Sequence, residues 1–488
     1  MKACVTAASE QAFCALIQQR TGIVLQDHQM SNLQDTLHNG CAHFGYADCA
    51  QYLHALEQGH AAPLEYLISG VTVGESYFFR DSEQIELLRR ELLPQMISAK
   101  RAAGDLSLRM WSAGCSHGQE IYTIALLLLE LIPDIENWRI HLLGTDINGE
   151  AVTRAMRGRY SEWSFRATPA AVRERWFAPA GYEYEIHPMI RNMVRFAYLN
   201  LTVDAYPSIL SETNAMDLIL CRNVFIYLDR RAVRRCMAQY AHCLIDQGVL
   251  MLGASDPIDY KHAELRLIQN ESAGYFRKFS PATNIAPAFV KPASYAPPLL
   301  QAPIFANVAV SREDFHDKVK PACDMDEIVR LLKNSAWSEA LAKAEEACGS
   351  GCENGELWQV KAKALANLGH AEQALQACEH SIRLDPVNKH TYLIQGLILA
   401  ELDRLPEAEA ALRRTLYLDR SFLEAHYELG MLRVRAGDIG GALKSLGNAL
   451  RQAQAGDPER ELHNASGMTY GRFAEILKNE IGMLRDAR

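Results

Sequence analysis

The chain has no Cys-x-x-Cys pair, although it holds 12 cysteines among 488 residues. Scattered singly, they read as reduced thiols of a cytoplasmic protein rather than as a disulfide framework. Cys348 and Cys352 lie four apart but have no accompanying set of His or Cys, so no metal site is expected. No apolar run is long enough to span a bilayer; the longest, 121–132, has the length of a buried helix. The first residues lack the apolar core of a signal peptide. Positive charge is also scarce: 50 Lys and Arg against 59 Asp and Glu give a net charge of −9. That balance excludes a general nucleic-acid binder. Finally, the glycine turn Gly114-Cys-Ser-His-Gly118 lacks the second glycine that a dinucleotide fingerprint requires.

What is present begins at that turn. Leu106, Leu108 and Met110 alternate as in a strand, the chain breaks at Gly114 and Gly118, and an apolar helix follows. Strand, glycine turn and helix open a doubly wound, Rossmann-like α/β sheet, whose ligands sit at the carboxyl ends of the strands. Gly114 lets backbone and ligand approach closely. Glu120 follows the turn, and Asp146 ends the next apolar strand, where a carboxylate suits the two hydroxyls of a ribose. A glycine turn and a ribose acid without the dinucleotide spacing point to S-adenosylmethionine. The plainer alternative is an ordinary βαβ turn with a surface Asp.

At this length two to four domains are expected. Residues 1–80 read as an N-terminal helical domain with apolar faces at Phe13, Leu16, Ile17, then Met30, Leu33, Leu37, with stops at Gly22 and at Asn39-Gly40. Two further helices carry Tyr52, Leu53, Leu56 and Leu64, Leu67, Ile68. Tyr77-Phe-Phe-Arg80 fits no amphipathic helix. It suits a segment that covers something flat and carries one cation, or a joint between domains. Residues 81–280 read as the α/β domain, in which strand and helix patterns alternate. Runs at 182–186 and 189–193 suggest a small antiparallel insertion. The fully apolar run Met216–Cys221 is a buried strand leading into Arg222-Asn223. Six prolines between 281 and 320 mark a linker.

From 321 to 456 the chain repeats with a period of 34, aligning Trp358, Tyr392 and His426, then Ala362, Gly396 and Gly430, then Ala374, Ala408 and Ala442. This is the tetratricopeptide period. A capping helix is expected at 457–488. Such an α-solenoid offers a concave groove to a protein or peptide partner, or serves as a spacer.

Three runs together resemble the CheR-type chemoreceptor methyltransferases: Glu75-Ser-Tyr-Phe-Phe-Arg80, Ser112-Ala-Gly-Cys-Ser-His-Gly-Gln-Glu-Ile-Tyr122 and Cys221-Arg-Asn-Val-Phe-Ile-Tyr-Leu228. The repeat tail resembles fused members from alternative chemosensory pathways. The resemblance implies transfer of a methyl group from S-adenosylmethionine to glutamates on chemoreceptor signalling helices. It implies Ser76 and Arg80 at the cofactor, Glu120 at its methionine end and Asp146 at the ribose. Asn200 and Leu201 would flank the adenine, Arg222 and Asn223 would close the site, and Arg80 and Tyr227 would lie nearest the methyl. Two departures stand out. Gly74 replaces an asparagine common in the family, with one cofactor hydrogen bond fewer. The helix at 28–39 has no Arg or Lys where the family carries several. Residues 1–80 hold only Lys2, Arg20 and Arg80 against seven Asp and Glu. Long-range attraction to an acidic receptor is therefore weak, and the tethered repeat groove is the expected recruiting element. Two other functions remain open here: a cofactor-binding repeat adaptor with little turnover, and a small-molecule methyltransferase.

Overall fold

The computed structural model describes residues 6–279 and 325–484, apart from positions 59, 205, 208–211, 259, 270–272, 334–335, 350–353 and several between 461 and 483. The expected linker at 281–320 lies outside the described residues.

Four helices come first: α1 (Ala7–Thr21), α2 (Met30–Phe44), α3 (Cys49–Glu57) and α4 (Ala61–Val71). Phe13, Ile17, Leu33, Leu37, Tyr52 and Leu67 form their shared core. Gly22, at φ 69°, ends α1 as expected. The expected stop at Asn39-Gly40 does not occur; α2 runs on to Gly45. Gly40 serves packing instead, since a Cβ there would stand 2.5 Å from the Tyr52 ring.

Next come α5 (Ser82–Leu87) and α6 (Leu93–Ala102), joined by a π-helical turn, then β1 (Ser107–Ala113), α7 (Gln119–Leu131), β2 (Arg139–Asp146) and α8 (Gly149–Arg157). The insertion holds β3 (Arg159–Tyr160), α9 (Ala170–Trp176), β4 (Phe177–Ala180), β5 (Glu183–Ile186) and α10 (Pro188–Arg191). Its strands pair antiparallel in the order β3-β5-β4. Of the run at 189–193, expected as a strand, 189–191 fall in α10 and 192–193 in the turn after it. Pro188 opens that helical turn, and the His187 side chain accepts a hydrogen bond from the Met189 amide.

The main sheet is completed by β6 (Val194–Tyr198), β7 (Met216–Cys221), helix α11 (Arg230–Cys243), β8 (Leu244–Leu252), β9 (Leu265–Gln269) and β10 (Gly274–Lys278). Its order is β6-β2-β1-β7-β8-β10-β9. The first five strands are parallel, and β10 runs antiparallel to both neighbours. Alternate residues feed two cores. Leu108 and Met110 of β1 face the cluster of α7, whereas Trp111 and Ala113 face that of α11. From β1 the chain winds outward to β2 and β6, then returns to β7 on the other side. The crevice between β1 and β7 is thus the topological switch point, where doubly wound sheets bind ligands.

The repeat array holds α12 (Met325–Lys333), α13 (Trp337–Gly349), α14 (Gly355–Asn367), α15 (Ala371–Leu384), α16 (Lys389–Glu401), α17 (Leu405–Leu418), α18 (Leu423–Arg435) and α19 (Ile439–Ala455). The small residues aligned by the period sit where paired helices meet. Ala374, Ala408 and Ala442 are fully buried. A Cβ at Gly430 would stand 2.6 Å from Leu446. Of the expected capping helix, Phe473, Ala474, Leu477 and Ile481 are described, and they pack on the last repeat. The apolar clusters of the array contain no residue of the sheet domain. A polar contact links the two: Arg109 of β1 pairs with Glu401 of α16 at 2.7 Å. The groove expected to await a partner on a tether therefore faces the chain's own sheet domain.

Candidate functional site

The carboxyl ends of β1, β2 and β7 converge on one cavity. Ser76, Arg80, Gly114, Glu120, Asp146, Asn200, Leu201, Arg222, Asn223 and Tyr227 line it. Gly74 does not, although its neighbours Val73 and Glu75 do. A side chain at 74 would crowd His117, whose Cε1 stands 3.1 Å from an ideal Cβ. The cavity measures about 170 Å³. That is below the ~300–1,000 Å³ of pockets that enclose a whole small molecule, so a cofactor here would be part-sheltered, with one side open. A far larger cleft, of about 2380 Å³, lies at the opposite edge of the sheet, between it and the repeats.

Each wall has a local cause. Gly114 takes φ 83°, a conformation open to glycine at little cost, and a Cβ there would stand 2.4 Å from Val224. Backbone at this turn therefore meets the cavity bare. Glu120, in the first turn of α7, accepts a hydrogen bond from Ser112 Oγ at 2.7 Å and from Arg222 at 3.2 Å. Burial pushes its carboxyl up, and the Arg222 charge pulls it back. Asp146 accepts from the Ser116 amide at 2.8 Å and the Asn148 amide at 2.9 Å. Burial raises its pKa too, against the pull of those amides. A carboxylate oxygen has further lone-pair sites, so both acids can still receive donors from the cavity.

Arg222 is a hub rather than an open ligand. Its side chain is 2% exposed. It donates to Gln84 Oε1 (2.8 Å), the Arg80 carbonyl (2.6 Å), Asp81 (2.8 Å) and Glu120. One guanidinium thus fixes the loop carrying Arg80 to the acid of α7. Phe79 and Asp81, which flank Arg80, both take φ 58°. This unfavourable backbone is held by the Arg222 bonds and by the fully buried Phe78, which packs on Tyr160, Phe165 and Phe177. Asn200 is buried and spent locally: its amide group donates to the Arg20 carbonyl, and its oxygen accepts from Thr202. It shapes the wall beside Leu201. Asn223, at φ 58°, differs. Its backbone N–H donates to Asp256 Oδ2 at 2.6 Å, but its side-chain Oδ1 is buried and finds no hydrogen-bond partner.

Arg80 and Tyr227 stand at the mouth. Arg80 donates to the Glu75 carbonyl at 3.0 Å. Burial raises the Tyr227 hydroxyl, while the Arg80 charge opposes that shift. Beyond Arg80 a stack leads outward. Tyr77 has Arg80 at 5.6 Å from its ring and Arg166 at 3.6 Å, and Arg166 lies 4.6 Å from the ring of the exposed Trp163. The N-terminal helices supply one wall through Thr21, Ile23 and Gln29. They are laced on by bonds between the Val24 amide and the Tyr227 carbonyl, and between the Asp229 amide and the Gly22 carbonyl.

Sequence reasoning missed Ser112, Gln84, Asp81 and Asp256, which hold the site from behind. Only Ser112 lies in a quoted motif; the others bond to partners more than 30 residues distant. Asp256 follows β8 in a run that reads as an ordinary turn.

The donor and acceptor set fits S-adenosylmethionine: two buried acids, an unmatched acceptor in Asn223 and a glycine cradle. Comparison with known proteins agrees. Residues 74–273 match the family described as CheR methyltransferase, SAM binding domain, and 355–388 match a tetratricopeptide repeat. Chemotaxis protein methyltransferase 2 of Vibrio cholerae is 32% identical over 222 residues, covering 45% of this chain and 75% of that protein. A probable biofilm formation methyltransferase of Pseudomonas putida, WspC, is 27% identical over 447 residues, covering 91% of this chain and 98% of that protein. Among solved structures, the tetratricopeptide protein YrrB is 22% identical and aligns with a TM-score of 0.24, over 26% of this chain and 64% of that one. The chain belongs to the CheR methyltransferase family, with S-adenosylmethionine as its cofactor and tetratricopeptide repeats behind the catalytic fold.

Proposed function

We propose that the chain is a protein-glutamate O-methyltransferase acting on the signalling helices of a chemoreceptor in the cytoplasm. The observation that carries this reading is Arg80 beside Tyr227 in the cavity lining, with a track of Tyr77, Arg166 and Trp163 leading outward, in which Arg166 is paired with Glu75 at 3.0 Å. A bound S-adenosylmethionine supplies a sulfonium methyl, which a glutamate oxygen takes by in-line displacement as the carbon–sulfur electron pair remains on sulfur. Glutamate, with a pKa of about 4.3, is ionised at neutral pH, so no strong base is needed. The protein's task is alignment. Arg80 orients the incoming carboxylate by a charge-assisted hydrogen bond. Tyr227 offers its hydroxyl, and the face of its ring is suited to a cation such as a sulfonium. Glu120 would hold the methionine end of the cofactor, Asp146 the ribose, and Asn200-Leu201 would frame the adenine. Asn223 Oδ1 awaits a donor, and Arg222 locks the acid and the Arg80 loop together. Trp163, Arg166 and Tyr77 present a surface on which an acidic helix can lie.

Arg80→Ala should lower the methylation rate of a chemoreceptor signalling fragment about 100-fold, some 2.7 kcal/mol. Arg80 also lines the cofactor cavity, so cofactor affinity should fall as well, and the split between affinity and kcat measures the two roles. Initial rates together with calorimetry decide this. An unchanged rate would remove Arg80 from the acceptor role.

A further inference from the structure

The inner face of the repeat array is in part already in use, beside the cleft of about 2380 Å³ that lies between the array and the sheet domain. First helices α14, α16 and α18 approach one another more closely than the second helices do, so the array curves with the first helices inside. One position recurs on that face at the repeat spacing: Ala366-Asn367, Ala400-Glu401 and Val434-Arg435. Two of these positions address one segment of the sheet domain, the residues leading into β7: Ala366 directly and Glu401 through Arg109. Asn214 Nδ2 donates to the Ala366 carbonyl at 3.0 Å. Glu401 takes Arg109, whose guanidinium also donates to the Glu212 and Asn214 carbonyls at 3.0 Å each. Arg435 is engaged within the array, donating to the Ala400 carbonyl at 3.0 Å and pairing with Asp403 at 3.2 Å. Arg195 bridges Glu212 to the Tyr427 hydroxyl of α18.

The fit is close. Thr213 and Asn214 are 0% exposed. A Cβ at Gly369 would stand 2.7 Å from Ala215 Cβ, so the turn after α14 must be glycine for the segment to seat. Glu212 and Ala215 both adopt positive φ, 55° and 47°, so the segment is held bent. Such backbone in non-glycine residues persists where surrounding contacts over-determine it.

We infer that the inner groove of the repeats is a docking site for this chain's own sheet domain, with residues 212–215 as the bound segment and Arg109–Glu401 as its central pair. The groove is polar at the contact and shares no apolar cluster with the sheet domain, as befits a joint that can open. The segment enters β7, and Arg109 lies in β1. The array thus grips the two central strands at the ends opposite Gly114 and Asn223.

The test uses the full chain. Small-angle scattering of the unaltered protein should show one compact particle. Glu401→Arg, which sets two cations face to face, should raise the radius of gyration and speed amide exchange at 212–217 about tenfold or more. Exchange in the interior of β7 should stay slow, and cofactor affinity should be retained, since the cavity lies at the other edge. Glu401→Gln, which keeps an acceptor for Arg109 but removes the charge, should open the particle less than Glu401→Arg does. Asn214→Ala, which removes the bond to Ala366 and one bond to Arg109 but leaves the Arg109–Glu401 pair in place, should give a smaller shift in the same direction. An unaltered protein that already scatters as two separated bodies would overturn the inference. So would Glu401→Arg and Asn214→Ala variants with unchanged scattering and exchange.

Discussion

At the scale of single residues, the site rests on buried charges made tolerable by specific partners. Asp146 is the clearest. Its two oxygens order the amides of Ser116 and Asn148 and still face the cavity. Asp146→Ala should weaken S-adenosylmethionine binding by roughly 1.5–3 kcal/mol, the range of a hydrogen bond to a charged group. Titration calorimetry reads this, and equal affinities would exclude Asp146 from the cofactor. Arg222 makes a different demand. Removing it strands Glu120 as a buried acid without its cation, so Arg222→Met should cost about 3–5 kcal/mol of stability. Adding Glu120→Gln should return much of that loss in a denaturant titration while leaving activity low. Recovery of activity would mean that neither residue contributes to the site. Glu120 and Asp146 were legible in the sequence because each closes a strand–turn unit. Their supporting residues were not, because a bond such as Gln84 to Arg222 spans 138 positions and leaves no local pattern.

At the scale of elements, apolar alternation gave away the central strands, and the 34-residue period gave away the array. Both signals are set by the packing geometry of one element against its neighbour. The failures fell where a single residue overrode the pattern. Pro188 and the His187 cap turned an alternating run into a helical turn. Gly40, which reads as a stop, is a packing glycine inside a continuing helix, beneath Tyr52. Between repeats, Lys389 donates to Asp419 at 2.7 Å and, with Ser421, holds its carboxyl down at about 2. A depressed aspartate stabilises the fold above its unfolded pKa of about 3.9, and the contribution fades as pH falls through the folded value. The pair is partly exposed, so about 1 kcal/mol is expected after solvent screening. Asp419→Asn should therefore lower the thermal midpoint at pH 7, and the difference should shrink between pH 4 and pH 2. A constant difference across that window would assign the effect to packing.

For the whole molecule, the order of parts was readable and their arrangement was not. Composition marks where repeats begin, but the contact that turns their inner face toward the sheet joins Arg109 to Glu401 across 292 positions. On the proposed function and the inferred docking, the carboxyl edge of the sheet would hold the methyl donor beside Arg80 and Tyr227, and the opposite edge would be held by the repeats. The most direct test of the central claim is the chemistry of the product. The chain would be incubated with methyl-labelled S-adenosylmethionine and the signalling fragment of a chemoreceptor from the same cell. The receptor would then be digested, and the labelled peptide sequenced by mass spectrometry before and after mild base. The account predicts label on glutamate side chains that base releases as methanol. Label that survives base, or none on the receptor while a small molecule is methylated, would contradict it.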